Sequence, residues 1–138
     1  MSLLGRLLLP ICALAAGCDS AGGFRRVDAA RVAVSKALDI SDDGATGWQV
    51  REITRKRSQL GKGDAATLPS ELGAKAAYHC VFGWVLPTDR TSGRTKPEFF
   101  IVFFREGEEQ PALVAIGNSG AIPRWKYCGL TARDFELK

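Results

Sequence analysis

Glu98-Phe99-Phe100-Ile101-Val102-Phe103-Phe104-Arg105 decides the fold of this chain. Side chains alternate across a strand, so Phe99, Ile101 and Phe103 share one face while Phe100, Val102 and Phe104 share the other. Both faces are apolar, and a strand of that kind belongs in the middle of a sheet with a covering layer on each side. Upstream, residues 76–86 (Ala-Ala-Tyr-His-Cys-Val-Phe-Gly-Trp-Val-Leu) form a second long apolar run, and the intervening residues 87–97 begin and end with proline. This spacing predicts an antiparallel hairpin of two strands, 76–86 and 98–105.

Working outward, Trp48, Val50, Ile53 and Thr54 suggest a further strand of imperfect alternation, with a bulge expected near Glu52. Residues 55–75 are polar, contain Gly61, Gly63 and Pro69, and read as a long loop with one helical turn at Ser70 to Leu72. A short strand at 112–116 and a C-terminal segment at 125–130 complete a meander. Ahead of all these, Val27, Ala30, Val34, Ala37 and Leu38 recur at three- and four-residue steps, with Ser35 and Lys36 off the stripe. That is an amphipathic helix, started near Asp28 and ended by Asp42-Asp43-Gly44. The expected fold class is α+β: an N-terminal amphipathic helix packed on an antiparallel sheet of about four strands.

The first seventeen residues are of a different kind. A short charged start (Met1 to Arg6) leads into an apolar run (Leu7 to Ala16) and then small residues before a cysteine. The run is about half of the roughly 20 residues needed to cross a bilayer, so the segment reads as a signal peptide. Leu14-Ala15-Ala16-Gly17-Cys18 resembles the lipobox of bacterial lipoproteins. The resemblance implies cleavage after Gly17 and lipid on the sulfur of Cys18, with several acyl chains holding the domain on a membrane at about 0.8 kcal/mol per buried methylene. Asp19 resembles the signal that retains such proteins in the inner membrane of enteric-type bacteria. An ordinary secretory cleavage that leaves Cys18 free is the alternative. The expected organisation is a signal peptide at 1–17, the lipidated cysteine and a flexible tether at 18–23, and one domain at 24–138.

Removal of residues 1–17 leaves 121 residues, enough for a single core. With 46% hydrophobic and 25% charged residues the chain is of the globular rather than the disordered class. Only Arg6 among the charged residues lies in the leader, so 18 basic side chains face 15 acidic ones, a surplus of +3. A nucleic-acid partner would call for a more basic face, and none is expected. Of four cysteines, Cys12 leaves with the leader and Cys18 takes the lipid. Cys80 and Cys128 then remain as each other's partner in an oxidising compartment, which suggests one disulfide; two free buried cysteines are the alternative.

Several short stretches carry residue types used in catalysis or ligand binding. His79, the single histidine, adjoins Cys80 within a strand, so their side chains fall on opposite faces and form no catalytic pair. Asp39-x-Ser41-x-Asp43-Gly44 begins like a calcium loop, but position twelve is Val50 where a Glu is needed. Gly61-Lys62-Gly63 lacks the first glycine and the Ser or Thr of a phosphate loop, and Asn118-Ser119-Gly120 lacks the pattern of a nucleophile elbow. Glu106, Glu108 and Glu109 read as a solvated acidic loop. The basic cluster Arg55-Lys56-Arg57 with Lys62 can meet an anionic surface at about 1 kcal/mol per residue, or can be a solvated loop.

The order of elements loosely resembles small bacterial secreted proteins with a cysteine-bearing strand followed by a hairpin, a resemblance that implies no activity. Tyr78-His79-Cys80 resembles the Tyr-x-Cys strand of lipoprotein lysozyme inhibitors. The leading expectation is a membrane-anchored lipoprotein of the cell envelope that acts as a noncatalytic binding module, reaching the membrane through lipid on Cys18 and binding a protein partner in the envelope. The alternative is an inhibitor or immunity protein acting on another protein such as a lysozyme, with an enzyme behind both. No cofactor, metal or catalytic residue is expected.

Overall fold

A computed structural model describes residues 16–40, 45–87 and 96–135. The leader residues 1–15, the Asp42-Asp43-Gly44 stop and most of the 87–97 connection lie outside the described residues. The chain runs as helix α1 (Ala16–Leu38), strand β1 (Ala45–Lys56), a 3₁₀ turn (Arg57–Gln59), helix α2 (Lys62–Thr67) and a second 3₁₀ turn (Ser70–Leu72). Strands β2 (Ala77–Pro87), β3 (Glu98–Arg105) and β4 (Leu113–Ile116) follow, then a single turn α3 (Gly117–Gly120) and 3₁₀ segments at Ile122–Cys128 and Ala132–Phe135. The sheet is an antiparallel meander in the order β1-β2-β3-β4. The α+β reading therefore holds, and the hairpin pairs from Tyr78 opposite Arg105 to Val85 opposite Glu98.

As its double-sided pattern requires, β3 is covered on both faces. Phe100, Val102 and Phe104 pack with Val81 and Val85 beneath Ala30, Val34 and Leu38 of α1. Ile101 and Phe103, with Tyr78, Cys80 and Phe82, pack beneath Leu72, Ala121, Tyr127, Cys128 and Leu130. The second cover is thus made of short helical turns from both sides of the hairpin.

Several expectations change. The C-terminal stretch 125–130 is not a strand: it belongs to the 3₁₀ segment Ile122–Cys128, which has Pro123 in its first turn and ends at Gly129 in the left-handed region, φ 70°. In α1 the buried line is Ala30, Val34 and Leu38, whereas Ala37 is exposed and Ser35 is buried. Helix α1 stops earlier than expected, at a left-handed Asp39 (φ 57°). There Asp39 N–H bonds to Lys36 O at 3.2 Å and Ile40 N–H to Ser35 O at 3.0 Å, the paired bonds of a Schellman cap, with Ile40 buried after it.

Helix α1 also starts before Asp28, at Ala16. The irregularity of β1 falls between Thr46 and Gln49, not at Glu52, with Gly47 at φ 68°. Gly83 explains why. A Cβ there would lie 1.8 Å from the Gln49 carbonyl oxygen, so the bulged strand approaches β2 closely only over a glycine. In the polar stretch, Arg55 and Lys56 still belong to β1 and α2 lies within the expected loop, while the turn at Ser70–Leu72 is present.

Candidate functional site

Alternation along β2 sends His79 and Cys80 to opposite faces. Cys80 forms a disulfide with Cys128, with Cα atoms 6.2 Å apart, and both residues are buried. The bridge joins the centre of the sheet to the C-terminal 3₁₀ segment. Tyr78, on the same face, donates its hydroxyl to the Tyr127 carbonyl, so two consecutive residues of that segment are fixed from β2. Burial pushes the Tyr78 phenol up, with the nearby Arg55 charge pulling the other way. Tyr127 in turn meets Thr67, its hydroxyl 2.9 Å from the Thr67 hydroxyl and 3.0 Å from the Thr67 carbonyl, which docks α2.

His79 lies on the α1 face, half-buried, with Nδ1 2.9 Å from the Thr54 hydroxyl. Its pKa is pushed below the ordinary histidine value, first by burial and then by the Arg26 guanidinium, while Glu52 and Glu106 oppose the shift. Arg26 pairs with Glu52, and both side chains are largely covered. This is a polar seam between α1 and β1, and its hydrogen-bonded histidine lies on the face of the sheet opposite the Cys80–Cys128 disulfide, as the strand alternation implied.

The basic cluster is divided by the strand that carries it. Arg55 faces the disulfide side, where its guanidinium packs so closely on Gly129 that a Cβ there would lie 2.9 Å from Nη1, and its Nε is buried without a hydrogen-bond partner. Lys56 falls on the opposite face and is exposed. Arg57 donates to the carbonyls of Lys75 and Gly73 just beyond the end of the sheet. Lys62 opens α2, which packs toward Tyr127 and Lys126, the latter 3.7 Å from Asp64. Lys62 is exposed.

Among the described residues, a recess opens on each side of the sheet. On the α1 side a groove of about 190 Å³ is lined by Asp28, Arg31, Val32, Ser35 and Trp48. Val32, in the middle of the groove lining, is 61% exposed. Trp48 links this groove to the core: one side of its ring lies 5.1 Å from the Arg31 guanidinium, and its edge contact with Phe100 has ring centroids 5.8 Å apart. On the disulfide side a shallower recess of about 360 Å³ lies between Pro69 and Pro123, with Tyr127, Arg124, Lys126 and Glu71 around it. Neither gathers carboxylates, and among the described residues no cluster of His, Cys, Asp and Glu is arranged to hold a metal ion. Sequence reading missed the α1 groove because Val32 lies off the buried stripe and Trp48 arrives from β1. An apolar residue off the stripe was the available signal.

Among the described residues no helix is long and apolar enough to cross a membrane. Comparisons with protein-family models, with curated proteins and with solved structures find no match to this chain.

Proposed function

We propose that this chain is a lipoprotein of the bacterial cell envelope, anchored in a membrane by lipid on Cys18, whose periplasm-facing domain is a noncatalytic module that binds a protein partner. The observation that carries the reading is the buried Cys80–Cys128 disulfide. Disulfides of this structural kind persist in oxidising compartments, so the pairing supports export. It also leaves Cys18 as the thiol of the exported chain that awaits chemistry, directly after the small residues of a lipobox-like segment.

The α1 groove supports the binding role. Exposed Val32 beside a half-buried Trp48 and a charged rim of Asp28 and Arg31 has the character of a small interaction site, an apolar centre with polar edges. Labelled palmitate given to cells should enter the wild type and not Cys18→Ser. Affinity capture of the lipidated protein from membranes should then recover an envelope protein that is lost with Val32→Asp. Palmitate incorporation that persists in Cys18→Ser would refute the anchor, and capture unaffected by Val32→Asp would refute the groove.

A further inference from the structure

We propose that the end of the sheet formed by Lys56, Arg57 and Lys75 rests on the membrane and contacts anionic lipid headgroups. This rests on the reading of Cys18 as the anchor, and it follows from the way α1 lies along β1. Arg31 stacks on Trp48, and Arg26 pairs with Glu52. The helix therefore runs antiparallel to β1, and its start lies at the end of the sheet where β1 finishes.

Arg25 of α1 reaches Glu109, in the turn after β3, at 3.3 Å. That turn lies at the end of the sheet where β1 finishes and β2 begins, beside Lys56 and Lys75. Cys18 precedes Arg25 by seven residues, so even a fully extended link of about 3.4 Å per residue keeps the anchor within about 24 Å of this end. The anchor therefore brings this end of the sheet, and not the opposite one, to the bilayer.

The charges at this end are favourable. Arg57 continues from Lys56, its N–H 2.8 Å from the Ala76 carbonyl, and its guanidinium donates to Lys75 O. Lys56 and Lys75 are exposed. Three carboxylates occupy the turn after β3. Glu109 is held by Arg25 at 3.3 Å and Glu108 by Arg105 at 3.7 Å. Glu106 has no ion-pair partner among the described residues, though its carbonyl lies 3.4 Å from Lys75 Nζ. With Glu71, exposed in the turn that Arg105 and Arg57 hold, three cations stand against two carboxylates and leave a positive edge facing the bilayer. The opposite end carries Lys36 in the last turn of α1 and Lys96 just before β3, both exposed. Arg55 and Lys62 of the sequence cluster take no part, the first turned to the disulfide face and the second carried off by α2.

The test uses the wild-type protein, extracted from membranes and returned to vesicles either of phosphatidylglycerol with phosphatidylethanolamine or of phosphatidylcholine alone. Lysines are modified with a water-soluble amine-acetylating reagent and read by mass spectrometry, which also reports acylation of Cys18. Lys56 and Lys75 should react at least about fivefold more slowly on the anionic vesicles, the effect expected of one charge in the surface potential. Lys36 and Lys96 should react alike on both, and the difference should vanish in molar salt. Acylated Cys18 with equal reactivity at Lys56 and Lys75 overturns this surface while the anchor stands. An unmodified Cys18 overturns the anchor, and the placement with it.

Discussion

Tyr78 donates its hydroxyl to the carbonyl of Tyr127, the residue that precedes Cys128, while two positions along the same strand Cys80 bonds to Cys128 itself. The C-terminal segment is therefore fastened to the sheet at two adjoining points, one covalent and one polar. Closing a loop of this separation, 48 residues, is worth about 4 kcal/mol in the chain-entropy treatment. Cys128→Ser should lower the melting temperature and expose amides after Trp125 to hydrogen exchange. Tyr78→Phe should cost about 1 to 3 kcal/mol by leaving a buried carbonyl unpaired. Equal exchange in wild type and Cys128→Ser would show that the segment is held by other means.

Phe103 and Phe104 probe the two faces of β3 separately, since both are fully buried and each packs under a different cover. Either residue cut to Ala should lose about 3 to 5 kcal/mol in denaturant unfolding. A loss below about 1 kcal/mol at either one would mean that its cover is not closed.

Gly83→Ala is expected to be the most harmful glycine substitution, because the new Cβ would meet the Gln49 backbone at a φ of 154°. Overpacking of this kind costs about 1 to 3 kcal/mol or more, here against backbone that cannot swing aside. Gly63→Ala, inside α2 with open space around it, is the control and should be neutral or slightly stabilising. Similar unfolding curves for the two variants would contradict the close approach of β1 to β2.

How legible each part was depended on the range of the forces that shape it. The hairpin and β3 were legible because alternation of Phe, Ile and Val over eight residues is a local pattern with one good solution. The disulfide was legible through the shortage of alternatives to Cys80 and Cys128. Trp125, Tyr127 and Leu130 resemble strand residues, but Pro123, left-handed Gly129 and the bonds to Tyr78 and Cys80 select a 3₁₀ turn, and those bonds are long-range. The groove that Ser35 lines is completed by Trp48 of β1, a long-range neighbour, and α2 is too short to show a helical period. Of the candidate site, the cysteines could be read from the chain. The division of Arg55, Lys56 and Arg57 between faces needed the strand to be seen as continuous through Lys56.

His79 makes stability depend on pH. Its folded pKa lies below the ordinary value of 6.5, so on acidification the unfolded chain takes up the proton first. Stability contributed by neutral His79 is complete above about pH 6.5 and is lost as pH falls toward the folded pKa. The melting temperature should drop over that range in the wild type, and the drop should be smaller in His79→Gln, which keeps a hydrogen-bonding side chain beside Thr54. An identical pH profile in the two proteins would remove His79 as the cause.

The most direct measurement of the central claim is the mass of the N-terminal peptide of the protein isolated from bacterial membranes. The account predicts a chain that begins at Cys18 and carries a diacylglyceryl group on its sulfur. A mature chain that begins elsewhere, or at Cys18 with an unmodified thiol, would contradict it.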